Sequence, residues 1–435
     1  MTDLSFLLSG KFAESLNVFL NFLSYILPFN RLIFKAYFST MNKLNCLTLT
    51  ALFATVIFSC NENQSDTTEI DPFTELQFEV YDSIIVDVLE NVIILDYQEE
   101  LDQYLVKEQR GGKVLLVDGK GAVIKDVELM GEGPNQIQFI LEGRFLGKHR
   151  YIFKEISATM DFHVFDQDFR KLEQINGPAV GFGAGIFISF FRQTFTPWTE
   201  DGKYFILGEE VNSYNPGDVD PDKIGGGFYS QVKTGFLYDS DQDSIRYLSL
   251  YPESWVPRNT NRWIGQSFPF LSFDIERNKA AVLPPIGDQL FLYDFDGNSL
   301  INERAVSLSH PDRNQEIPDV DRENQLYPSF SDVKTFGEYQ LAIFYTAIPE
   351  DIFMEFRSKG ENYYQDPEWI KAQAKYRNPR YIIVKGEQQI GILNEFPVAG
   401  SVNLGLPDGA LIVKAADGEV ERDYNLFYKL RLVEK

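Results

Sequence analysis

FLYDFDGNSLINERAVSL, residues 291–308, reads as two strands joined by a tight turn. Aromatic and β-branched residues take alternate positions, and Asp296, Gly297 and Asn298 are the residue types that a short hairpin loop needs. The same grammar recurs along the chain. LLVD (115–118), HVFD (163–166), FLYD (236–239), YIIV (381–384) and NLFY (425–428) each read as one strand of such a hairpin. AVIKDVEL, KLEQI and SIRYLSL supply partner strands. Six signals in about 360 residues give roughly 60 residues per unit, above the 40 to 50 of simple blade repeats. Long insertions in the third and fifth units account for the excess. From Phe73 to Lys435 long helical periodicity is nearly absent, which is the pattern of an all-β domain of many short strands.

The N-terminal region obeys a different logic. KLNCLTLTALFATVIFSC, residues 43–60, has a lysine, then an apolar run, then Ser59 directly before Cys60. The uncharged run of about 15 residues is short of the ~20 that span a bilayer and within the signal-peptide range. Its ending resembles the lipobox of bacterial lipoproteins. That resemblance implies cleavage before Cys60, which becomes an acylated N-terminus anchored in a membrane of the cell envelope, with the outer membrane expected. Residues 41–59 are then the signal peptide and 60–72 a polar, acidic tether. Met41 opens a normal signal peptide, so residues 1–40 are read as an upstream mis-start. Cys46 and Cys60 are the chain's cysteines, so the mature protein is expected to hold no disulfide.

Charge limits the partners. The chain carries 40 Lys and Arg against 64 Asp and Glu; without residues 1–59 these become 36 and 62, a net charge of −26. Such a surface repels nucleic acid and anionic headgroups, while buried acyl chains still hold a protein at a membrane.

The units are expected to form a six-bladed β-propeller of four-stranded blades. GEGPNQIQF (131–139) is similar to the G-x-G-P-x-x-F segment of six-bladed propeller lipoproteins of Bacteroidetes, from which Asn135 and Gln136 depart. TEDGKYFIL (199–207) resembles the S-P-D-G-K hairpin start of propellers related to the periplasmic protein TolB. These resemblances imply one propeller over 73–435, in a family whose members mostly lack an assigned activity. The last unit ends in NLFYKLRLVEK and lacks an outer strand, whereas LQFEVYDSIIVDV (76–88) lacks a hairpin partner. Pairing the two closes the ring and removes two exposed edges.

If strands run outward from the axis, the insertions at 210–232 and 346–379 and the links 253–269 and 309–328 share one face. Residues 210–232 read as an irregular loop. Asp366 and Pro367 open a helix running to about Tyr376, and a shorter helix is expected over 349–359 with Gly360 behind it. Long loops on a rigid scaffold commonly carry binding.

Trp255, Arg258, Asn259, Arg262 and Trp263 combine aromatic platforms with forked donors suited to sugars or carboxylates. The plainer role is structural, with tryptophans filling gaps between blades and arginines pairing with the abundant acids. DSDQDS (239–244) alternates acids like a calcium loop, but Ser244 and Leu250 stand where an EF-hand needs Gly and Glu. Asp218, Asp220 and Asp222 make a slightly better oxygen cluster for Ca²⁺, and no other cofactor is expected. His149, His163 and His310, the chain's histidines, share no metal-binding spacing, and no catalytic residue is singled out. The expected function is a monomeric, lipid-anchored propeller that binds a small molecule, glycan or protein on its insertion-bearing face. The alternative is a metal-dependent hydrolase or lyase acting on sugars or lactones at the channel mouth.

Overall fold

The computed structural model describes residues 71–180, 191–313, 316–319, 326–360, 362–417 and 422–433. The expected signal peptide, Cys60 and most of the expected tether lie outside them. The described residues form six four-stranded antiparallel sheets arranged as blades around an axis. Blades one to five cover 92–128, 140–175, 195–248, 270–307 and 330–393. Each runs from its inner to its outer strand in sequence order.

Blade six closes the ring as the unpaired segments required. Strand Phe78–Val86 lies antiparallel on Asn425–Leu432, from Phe78 opposite Leu432 to Val86 opposite Asn425, with a bulge between Val80 and Asp82. All six sequence signals fall on third strands. The terminal aspartate of several of them makes the following turn. Asp118 Oδ1 accepts the N–H groups of Lys120 and Ala122 at 2.9 Å, Asp166 does the same for Asp168 and Arg170, and Asp239 for Asp241.

The core is divided among the gaps between blades. Alternate residues of each strand face opposite neighbours, so both faces of a blade are apolar. Ile94, Tyr104 and Val106 pack toward blade six, while Ile93, Leu95 and Leu105 pack toward blade two.

In the fifth blade, helix Pro367–Tyr376 begins at Asp366, whose side chain accepts the Glu368 N–H at 2.9 Å. Helix Glu350–Arg357 precedes it and Gly360 stands behind at φ +117°. Phe353, Phe356 and Trp369 give this insertion its own small core. Residues 210–232 differ from the irregular loop expected. They contain helical turns Pro221–Ile224, Gly225–Gly227 and Phe228–Gln231. The cause is Phe228 and Tyr229, which are fully buried in the gap between blades three and four and pull the Gly-rich segment into tight turns.

Candidate functional site

Inner strands start on the face that bears both insertions and the links 253–269 and 309–328, and end on the face of the first-to-second strand turns. Link and insertion are welded together at blades three and four. Tyr229 Oη donates to Gly265 O at 2.8 Å and accepts Ile264 N–H at 3.0 Å. Gly226 approaches so closely that a Cβ there would stand 2.2 Å from the Asn261 carbonyl carbon.

The residues expected to bind are spread over this weld. Trp255 is 1% exposed, donates its indole N–H to Ile286 O at 2.9 Å and stacks on Tyr251. Trp263 is half-buried and stacks on Tyr229, with ring centroids 5.5 Å apart. Arg258 bonds the Tyr251 carbonyl and lies 3.7 Å from Glu253. Arg262 points outward to Asp319 at 2.9 Å and to the Ile317 and Pro318 carbonyls. Asn259 is exposed at the end of helix Val256–Asn259. The two tryptophans meet through Tyr229, but the five side chains do not converge on one point.

Asp220 pairs with Lys223 at 2.7 Å and Asp218 is exposed in a turn, while the Asp222 side chain lies outside the described residues. Among the described residues no three His, Cys, Asp or Glu side chains come together as metal ligands.

The charged centre of the molecule was not signalled by any motif. Glu142 and Arg144 form a buried ion pair on the inner strand Ile140–Phe145. Arg144 also donates to the Leu95 carbonyl and, at 3.1 Å, to Phe195 O. Residues 191–194 join blades two to five at the insertion-bearing end of the axis. Thr194 donates through Oγ1 to Glu142 at 2.6 Å, and Phe191 O accepts Lys334 Nζ. Arg192 pairs with Glu209, lies 3.9 Å from Asp332, and sits 4.4 Å above the Phe270 ring. Lys334 and Asp332 pair at 2.9 Å. Burial pulls the Arg192 guanidinium below its ordinary range, against the opposite pull of Asp332 and Glu142. This network fills the centre with paired charges, although Arg192 Nε is buried with no hydrogen-bond partner among the described residues. It is a rigid frame more than a set of reacting groups.

Two side chains beside that frame are less committed. Tyr345 ends the strand Tyr339–Tyr345 and is 36% exposed; burial raises its phenol against the opposite pull of Arg377, and the Asp332 charge adds a smaller rise. Arg377, where helix Pro367–Tyr376 stops, holds its guanidinium carbon 5.7 Å from the Tyr345 ring centre. It is half-buried, burial lowers its proton affinity, and no acceptor stands within hydrogen-bond reach of its guanidinium among the described residues.

No protein-family model and no curated protein matches the chain. Among solved structures, a member of the duf4221 family from Bacteroides vulgatus is similar in fold, with TM-score 0.59 at 8% identity, covering 83% of this chain and 99% of that one. A putative exported protein from Bacteroides fragilis covers 83% of this chain and 95% of its own length at 12% identity and TM-score 0.47. At these identities the likeness is one of fold.

Proposed function

We propose that this propeller is a binding protein that holds a ligand or protein partner on its insertion-bearing face through an acidic group. Arg377 carries the reading. A half-buried guanidinium with no acceptor among the described residues keeps five N–H donors in a fixed fork, a geometry that fits a carboxylate in two hydrogen bonds. The Tyr345 phenol beside it adds a polar donor and an aromatic edge. Asn259 and Arg262 stand on the same face and would widen the contact. Acylation at Cys60, with anchoring in the cell envelope, belongs to the same reading. The test is retention of a partner from solubilised envelope extract by the immobilised 60–435 protein. Arg377→Ala should lose at least about tenfold in retained partner while its thermal midpoint stays within a few degrees of wild type. Equal retention by wild type and Arg377→Ala would remove the arginine from the reading.

A further inference from the structure

The other end of the axis holds a second feature, independent of the insertion-bearing face. The channel opens among the first-to-second strand turns as a well of about 680 Å³. That size lies within the ~300–1,000 Å³ of small-molecule pockets. Its charged lining is unbalanced. The three cations around it each have a carboxylate: Arg144 has Glu142, Lys148 lies 2.6 Å from Glu100, and Arg277 lies 2.6 Å from Asp274. Three further lining carboxylates, Asp96, Glu99 and Glu276, have no cation paired with them among the described residues.

Asp96 is the anchor of this set. It stands on the inner strand Val92–Gln98, a half-buried residue of the channel lining whose Oδ2 accepts the Phe145 N–H at 2.9 Å. Arg144 is near, but its guanidinium is taken up by Glu142 and two carbonyls. Burial pushes the Asp96 carboxyl above its ordinary range in spite of Arg144. Trp198 and Phe273, ring centroids 5.7 Å apart and both half-buried, add aromatic surface to the wall.

An anion would meet uncompensated carboxylates here, inside a chain whose net charge is −24. A neutral ligand would leave them unpaired. A metal ion lacks a convergent set of three ligands among the described residues. We propose that the well binds a small organic cation whose protonated amine pairs with Asp96 while Glu99 and Glu276 draw it to the mouth. Aromatic faces beside a carboxylate suit such a group, since both attract positive charge.

Titration calorimetry of the 60–435 protein with putrescine and with spermidine, at low salt and pH 7, tests this. At least one amine should bind saturably. Asp96→Asn, which keeps an acceptor for the Phe145 N–H, should weaken it at least about tenfold, and Glu99→Gln with Glu276→Gln a few-fold. Pairing requires the ionised Asp96 carboxylate, whose proton affinity is raised. Followed over a pH series, binding should therefore weaken as the pH falls and the carboxyl takes up its proton. This signature belongs to the wild type and does not depend on how a variant folds. Absence of saturable binding by either amine would overturn the proposal. So would an affinity that does not weaken as the pH falls, unchanged affinity in a folded Asp96→Asn protein, or displacement of the amine by CaCl₂ at equal concentration.

Discussion

Glu142 and Arg144 lie two residues apart on one strand, so both project from the same side, and that side faces the axis rather than water. A buried pair of this kind adds little stability over apolar residues, but losing one partner leaves the other charge stranded. Arg144→Met should destabilise the protein by about 3–5 kcal/mol. Removing both charges, in Glu142→Gln with Arg144→Met, should recover part of that loss, and urea unfolding of the two variants checks it. These residues were not legible in the sequence, because a charged residue in a short alternating strand ordinarily marks the wet face. A ring of blades buries both faces of its inner strands. Trp255 poses the opposite ambiguity, since its indole and forked arginine neighbours fit a sugar platform as well as the plainer filling of a gap between blades. The structure commits the indole to Ile286 O and to the gap between blades. Asn135 and Gln136, where the chain departs from the resembling propellers, accept Lys171 N–H and Lys171 Nζ and so tie the loop to the outer strand of blade two.

The elements were the most readable level. A strand ending in aspartate was recognisable because that side chain supplies the turn's acceptor, as at Asp118, Asp166 and Asp239, and all six strand signals proved to be third strands. The helices of the fifth blade were signalled by Asp366, Pro367 and Gly360, whose conformational preferences act locally. The turns within 210–232 were hidden because Gly, Asp and Pro dominate the composition, while two buried aromatics decide the conformation through contacts with a link some thirty residues later. Closure by Phe78–Val86 is the element with the largest consequence. Deleting residues 73–88 exposes the edge of Asn425–Leu432 and the core beneath it, whereas deleting 61–72 removes tether alone. The first truncation should lower the thermal midpoint by more than about 10 °C or abolish soluble expression. The second should leave the midpoint unchanged, and equal midpoints would mean that the strand adds nothing to the ring.

At the scale of the whole molecule, six blades hold a charged axis rigid between two chemically different ends. One end bears long insertions and Arg377, whose guanidinium has no acceptor among the described residues; the other is a well with surplus carboxylates. The charge balance and the number of units were legible because they are sums along the chain. The contents of the two ends were not, because each is assembled from residues of several blades far apart in sequence. If Cys60 is acylated, Cys60→Ser should shift the protein from the membrane to the soluble fraction, and a fatty-acid probe should label wild type but not the variant. Site-specific photo-crosslinking in the native envelope tests the binding face most directly, with the photoreactive residue placed in turn at Asn259, Tyr364, Asp201 and Asp408. All four are exposed, the first two on the insertion-bearing face and the last two in first-to-second strand turns. The account predicts a discrete adduct from Asn259 or Tyr364, lost in Arg377→Ala, and none from Asp201 or Asp408. Adducts confined to the turn positions, or equal from all four, would contradict it.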